Sequence, residues 1–371
     1  MKTIHKEIPF QPHHILTQEM FTDNSLFFDI ETTGFSPAHT SLYLIGCVRR
    51  SGSYICIDQF FAEQPAEEKL ILVTFLELLK ACDTIITFNG IGFDIPYLKA
   101  KCDTYALKQR FADYTYIDIF KSISSIKHIL KLQNFKQKSI ETFLGIDRRD
   151  LYSGGELIHI YHSYTKDPEE ELLELLLLHN YEDVLGMIDL LEILSYVHLM
   201  NGRFQKSSCE VCDLTTYEGA AAKELQITLH LEFPVPRRIS YACGPLYLSA
   251  HQDTCRITAR LAEGELKYFF DNYRDYYYLP EEDMAVHKSV SSYVDKEHRE
   301  QARACTCYSR HAGLFAPQYE EIITPSFKQE YKDKTLYFEV TEKFLSEQEL
   351  SEAYIRHLLS YLKTTKKRVS P

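Results

Sequence analysis

Residues 26–34 read LFFDIETTG, an apolar run that delivers Asp29 and Glu31 and then turns away through Thr32, Thr33 and Gly34. Residues two apart in a strand project from the same face, so the two carboxylates stand side by side. Adjacent carboxylates repel, and a fold accommodates them most readily when a cation lies between them. The pair points to a divalent-metal site; two solvated acids at a strand end are the plainer alternative. Two further acids strengthen the metal reading. In residues 85–96, IITFNGIGFDIP, a second apolar run breaks at Asn89-Gly90 and presents Asp94 just before Pro96. Proline suits the first turn of a helix and carboxylates are favoured there, so Asp94 alone also reads as a helix-start residue. Asp183 lies in LLLHNYEDVLGM, inside a helical apolar pattern over residues 169–199. His179, four positions earlier, shares its helix face.

Together, DIETTG, FNG-x-x-FD and HN-x-x-DV resemble the three motifs of the DEDD 3′–5′ exonuclease superfamily. With residues 138–164, KSIETFLGIDRRDLYSGGELIHIYHSY, the chain looks most like the YprB-type ribonuclease H-like domains. The resemblance covers roughly the first 200 residues, a usual one-domain length. Superfamily members usually carry Tyr four residues, or His five residues, before the last Asp. Here His179 stands at the Tyr spacing with Tyr181 between, the form found in the YprB-type relatives.

The resemblance implies a 3′–5′ exonuclease acting on single-stranded DNA or RNA 3′ ends with two Mg²⁺ or Mn²⁺ ions. Two ions about 4 Å apart serve both ends of an in-line phosphodiester displacement. Hard oxygen ligands suit Mg²⁺ or Mn²⁺ rather than Zn²⁺. On this reading Asp29 bridges both ions, Glu31 and Asp183 complete one shell, and Asp94 serves the other. His179 is the expected general base or water-orienting group, its pKa lowered by burial and by nearby metal charge, with Tyr181 as its substitute. Backbone N–H groups of Thr32, Thr33 and Gly34 are expected to hold the terminal nucleotide. Asn89 bonds sugar or phosphate, or simply makes its turn, and Phe35 and Phe93 stack on a base or fill the core. Asp118 reads first as a solvated strand terminus, with support of the metal ligands from behind as the alternative; Arg148 with Arg149 reads first as a solvated pair, with phosphate neutralisation as the alternative. The alternative from another class is a non-catalytic nucleic-acid-binding or interaction protein that keeps the fold; the presence of all four acids disfavours it.

These residues need a scaffold. The fold class expected is α/β, a ribonuclease H-like mixed sheet flanked by helices, with a second β-rich α+β domain. Strands are expected near 26–30, 42–49, 54–61, 84–88 and 114–119, with a hairpin turn at Ser51-Gly52-Ser53 and a helix near 67–81. Asp167 and Pro168 are expected to start the long helix, and Asn201-Gly202 to end it. Later come short β-type runs at 227–233, 239–242, 245–250 and 254–262, the Tyr-dense YFFDNYRDYYYLPEED, and a helix at 346–362. The Tyr cluster reads first as core in a Trp-free chain, with a stacking platform for single strands as the alternative.

Composition bounds the rest. A chain of 371 residues with 45% hydrophobic content suits two packed domains, expected at 1–203 and 204–371. A net charge of −12 argues against a large basic footprint and tight nonspecific duplex binding. Ten cysteines without a regular framework, an opening segment unlike a signal peptide, and no membrane-length apolar run point to a reduced cytoplasmic setting. Cys209, Cys212, Cys305 and Cys307 are weighed as a split zinc site, although the two pairs are distant in sequence. Protein partners are not legible.

Overall fold

The computed structural model describes residues 1–150, 152–215, 219–290 and 293–365. The chain divides into two units, one comprising Met1–His198 with Val235–Arg237, the other Leu199–Pro234 with the chain from Arg238 onward.

The first unit runs β1 (Lys2–Pro9), α1 (Ile15–Met20), β2 (Ser25–Thr32), β3 (Leu42–Ser51), β4 (Tyr54–Phe61), α2 (Glu68–Leu79), β5 (Thr84–Thr87), α3 (Asp94–Thr104) and β6 (Thr115–Asp118). It continues through α4 (Ile119–Ile123), α5 (Lys127–Leu130), α6 (Gln137–Leu144), α7 (Gly154–Tyr164) and α8 (Glu170–Leu190); α9 (Leu194–Met200) follows one 3₁₀ turn later. The strands form one six-stranded mixed sheet in the order β1-β4-β3-β2-β5-β6. Strands β2, β3 and β4 form an antiparallel meander, and β5 and β6 add in parallel beyond β2. Apolar side chains cover both faces of this sheet, so its central strands read as continuous apolar runs. One layer of core packs Phe28, Ile30, Leu72, Phe75 and Ile85; the other packs Tyr43, Phe61, Leu157, Tyr161 and Leu173.

The ribonuclease H-like mixed sheet and the β-rich second part are as the sequence predicts, with local corrections. Strand β1 was not expected: its sequence, KTIHKEIP, alternates only weakly, and edge pairing with β4 supplies what apolar pattern does not. Asp167 does not cap α8. The helix starts two residues past Pro168, with Glu169 at the cap position and no side-chain cap bond.

The second unit carries a sheet of β7 (Phe204–Thr215), β8 (Ala221–Cys243) and β9 (Leu246–Arg260), and another of β10 (Ala262–Phe269), β14 (Tyr308–Gln318) and β15 (Leu336–Glu339). A small sheet joins β11 (Tyr276–Leu279), β12 (Met284–His287) and β13 (Glu300–Gln301), and the unit ends with α10 (Glu342–Ser346) and α11 (Gln348–Thr364). The runs expected separately at 227–233 and 239–242 are parts of one long β8 that continues through Pro234 and Pro236. The Tyr-dense segment packs on itself: half-buried Phe270, Tyr273, Tyr276 and Tyr278 surround Ala285, Ala302 and Cys307. Tyr278 also donates to Asp283 at 2.6 Å. This is core rather than an open stacking platform.

No zinc cluster forms among the described residues. Cys209 and Cys212 lie on β7, Cys307 is buried in the Tyr-lined core, and all ten thiols are free. No helix among the described residues is long and apolar enough to cross a membrane.

Candidate metal centre

Asp29 and Glu31 project from β2, whose continuation past the end of β5 leaves room for α3. Strand β5 reaches only as far as Phe27 of β2. Beyond that point the Ile30 N–H donates to Asp94 Oδ1 at 3.3 Å, which fastens Asp94 between the two β2 acids. The FNG turn makes this possible. Asn89 is left-handed at φ 65°, and its carbonyl accepts from Gly92 and Phe93 N–H groups. A Cβ on Gly90 would lie 2.6 Å from the Thr87 side chain, so only glycine fits there. Asp118 is not solvated as expected: it is buried and accepts from the N–H groups of Asn89, Ile91 and Lys121, capping α4 while holding the turn in place.

Helix α8 supplies His179, Asn180 and Asp183 on the face turned to the sheet. Ligand atoms of Glu31, His179 and Asp183 all lie within 4.8 Å of one another, a possible acidic metal site. His179 Nε2 is 3.1 Å from Asp183 Oδ2 and 3.5 Å from Glu31 Oε1. Its Nδ1 is bonded to Asp150 Oδ2 at 2.6 Å. Asn180 donates to Asp29 Oδ2 at 3.3 Å and accepts from Gln59 at 3.0 Å. Tyr181 lies off this face, with its hydroxyl toward Lys6 Nζ at 3.4 Å, and so is not available as a substitute base.

The electrostatics divide the acids into two sets. Asp29 is pushed well above the usual carboxylate range by burial, then by the charges of Asp183, Asp94 and Glu31. Glu31 rises to about 7 through burial, partly opposed by His179. Asp94 also rises to about 7 through burial, against backbone N–H bonds that favour its charge. Asp183 is lowered: burial would raise it, but His179 and Arg148 outweigh burial. Burial also works against the His179 imidazolium, yet its bond to Asp183 and the charges of Glu31, Asp183 and Asp150 raise it to about 9. Burial acts on His179 in the expected downward direction, but the surrounding carboxylates, which the sequence reading did not count, carry it upward. Acids on three sides outweigh desolvation.

Arg148 is the other correction. It is not solvated: its side chain is 9% exposed, with Nη1 2.6 Å from Asp183 Oδ1 and 2.9 Å from Glu141 Oε2. Arg149 stays exposed, its N–H donating to Glu182. Asp150, which orients His179, is itself held by Lys138 Nζ at 2.8 Å. Sequence reasoning missed Glu141, Asp150 and Asn180 in this network. The Asn beside His179 in the HN-x-x-D motif was the one signal available; Asp150 lies in a loop with no periodicity to read, and Glu141 on the short helix α6, whose partner Arg148 comes from that same loop.

The remaining candidates lie around the rim. The Thr33 N–H already donates to the Ser41 carbonyl at 2.8 Å, and the Thr32 hydroxyl donates to the Gly34 carbonyl at 2.8 Å. The Thr33 N–H is thus spent within the turn and not presented to a nucleotide. Asn89 is exposed at its turn. Phe35 is 89% exposed, so it does not fill the core, and it meets half-buried Phe93 edge-on at 5.9 Å.

The RNase_H superfamily profile matches residues 26–195, from β2 into the last helix of the first unit. This segment is a ribonuclease H superfamily domain. Over 191 residues the chain is 27% identical to the uncharacterized protein YprB of Bacillus subtilis (strain 168), covering 50% of this chain and 44% of YprB. Over 103 residues it is 30% identical to a DNA polymerase of Thermococcus sp. (strain 9oN-7), covering 27% of this chain and 13% of the polymerase. Among solved structures, the family B DNA polymerase of Pyrobaculum calidifontis matches with a TM-score of 0.39 and 16% identity, over 47% of this chain and 25% of the polymerase. The chain spans less than half the length of the curated relatives it matches. In the ribonuclease H domain the acidic cluster occupies the end of the central strand, where β2, α3 and α8 converge.

Proposed function

We propose that the ribonuclease H domain is a metal-dependent 3′–5′ exonuclease that hydrolyses single-stranded DNA or RNA from its 3′ end. The observation that carries this reading is the convergence of Asp29, Glu31, Asp94 and Asp183 on one site, with His179 against them. Three of these carboxylates are held above their ordinary pKa by burial, joined for Asp29 and Glu31 by repulsion from the neighbouring site acids, a cost that bound cations would relieve. The donors are nearly all carboxylate oxygens, the set preferred by Mg²⁺ or Mn²⁺. Asp29, Glu31 and Asp183 would hold one ion, and Asp29 with Asp94 the other. When bound, such ions supply charge stabilisation to the attacking and leaving oxygens of the phosphodiester.

The chain's own residues do the rest. Asp150 fixes the Nδ1 side of His179, so Nε2 is the atom that takes or gives a proton toward the site. Arg148 anchors Asp183 from behind. Asn180 orients Asp29 by donating to its Oδ2. Exposed Phe35, braced by Phe93, offers a ring on which a terminal base can stack. Ten free thiols agree with work in a reducing cytoplasm.

The test is a panel of end-labelled DNA and RNA single strands incubated with Mg²⁺, Mn²⁺ or EDTA. The expected result is a product ladder shortening from the 3′ end and abolished by EDTA. Strands that are bound yet left intact under every metal condition would instead establish the non-catalytic alternative.

A further inference from the structure

The second unit carries a face that the catalytic reading does not use. The Arg260 N–H donates to the Pro245 carbonyl at 3.0 Å, and Gln252 is left-handed at φ 52°. The two halves of β9 therefore lie side by side, folded over at Gln252-Asp253. Strand alternation then sorts the side chains cleanly. Leu246, Leu248, Ala250, Cys255, Ile257 and Ala259 are buried on one face. Tyr247, His251, Arg256 and Arg260 are exposed on the other, and Arg238 of β8 joins them. Arg238, Tyr247, Ser249, His251, Asp253 and Arg256 line one open cup of about 420 Å³.

The charge on this face runs against the rest of the chain. The whole molecule carries −12, yet three arginines stand on this face; two of them, Arg238 and Arg256, line the cup, where Asp253, at the turn, is the one carboxylate. Among the described residues, none of Arg238, Arg256 and Arg260 has a carboxylate within ion-pair distance. Unpaired guanidiniums on a rigid sheet are matched by phosphate, which accepts their forked N–H donors. Tyr247 is 44% exposed beside them and offers a ring to an unstacked base. A duplex hides its base faces, so the aromatic adds nothing there; an acidic peptide has no base to stack.

The geometry points to this β8–β9 face as a second binding surface for single-stranded nucleic acid, with Arg238 and Arg256 on phosphates and Tyr247 under a base. The inference deepens the exonuclease reading by giving the strand a holding surface outside the acidic site.

The experiment is fluorescence anisotropy of labelled dT20 and U20 with the full chain in EDTA, at several salt concentrations. Arg238→Ala/Arg256→Ala should bind about tenfold more weakly. The slope of log affinity against log salt should fall by about 1.4, since each phosphate contact on a single strand contributes about 0.7. Tyr247→Ala should weaken binding at least fivefold with the slope unchanged. Arg238→Lys/Arg256→Lys keeps the charge and should keep the slope, which guards against misfolding of the alanine variant. Affinity and slope unchanged in the alanine and tyrosine variants, or no binding by the wild-type chain, would overturn the inference. A labelled 20-base-pair duplex bound as tightly as dT20 and U20 would do the same. Because hydrolysis is not read, loss of the exonuclease reading leaves this result standing, and the converse holds for the end-labelled panel.

Discussion

Asp29 is the residue on which the metal reading turns. It is crowded by three other acids, and Asn180 provides the one hydrogen bond that favours its charge. Asp29→Asn should therefore abolish hydrolysis and Mn²⁺ binding by calorimetry. It should leave the metal-free protein at least as stable at pH 8, because one repelling charge is gone. Undiminished Mn²⁺ binding in that variant would sink the assignment. His179→Ala should cut turnover by roughly 10²–10⁴-fold, the usual contribution of a positioned acid or base. Asp150 is a positioning residue that acts through His179. Asp150→Asn should lower kcat by about 10–100-fold with KM little changed, as for other groups that orient a catalytic side chain. It should also move the acid limb of the kcat–pH profile to lower pH, because removing a carboxylate beside an imidazolium lowers its pKa. A loss of activity with no movement of that limb would make Asp150 merely structural.

At the scale of elements, the site depends on how closely α8 approaches the sheet. Gly46 of β3 lies opposite Asp29 in the strand register. A Cβ there would come within 2.7 Å of Asn180 Cγ and closer still to its Oδ1. Gly46→Ala should therefore push α8 outward, cost about 1–3 kcal/mol by overpacking, and misplace Asp183. Denaturant unfolding would measure the cost, and Gly46→Ala/Asn180→Ala should recover part of it; no loss in the single variant would show that the helix can move freely. What was legible in the sequence follows the same division. Strands β2, β3, β4 and β5 and helix α8 announce themselves because continuous apolar runs and helical spacing are local signals. Asp29, Glu31, Asp94 and Asp183 could be read because strand ends and a helix face place them. The Arg148–Glu141 and Asp150–His179 pairs could not, since they join a loop to a helix through contacts that no period encodes. Arg148 looked solvated for that reason, and Asp118 likewise: a polar residue's burial depends on donors brought from other segments. The basic face of β9 was missed although the runs 245–250 and 254–262 were read apart, because which strands pair, and so which arginines share a face, is not a local signal.

At the scale of the whole molecule, the buried acids couple stability to pH and to divalent ions. Glu31 and Asp94 at about 7 in the folded state lie above their ordinary values, and so does Asp29. The folded protein therefore binds these protons more tightly than the unfolded chain. The associated stability is complete below the unfolded carboxylate range and is lost as pH rises toward 7. His179, raised to about 9, has the same sign: its contribution is complete below about 6.5 and lost as pH rises through 9. Asp183 and Asp150 are lowered, so theirs is present at neutral pH and lost in acid. In EDTA the melting temperature should then peak in mildly acid solution and fall between pH 5 and pH 8 by on the order of 5 °C, since each shifted unit is worth about 1.4 kcal/mol. Divalent ions bind the deprotonated carboxylates, so Mn²⁺ should raise the melting temperature more at pH 8 than at pH 5 and flatten the profile. The net charge of −12 also grows more repulsive as pH rises, and Asp29→Asn separates the two effects. Overall repulsion would be nearly unchanged by one charge, whereas a site effect would shrink visibly. Differential scanning calorimetry in EDTA and in Mn²⁺ reads both; a metal-free profile flat from pH 5 to pH 8, or an Mn²⁺ shift independent of pH, would mean that these acids do not form a cation site.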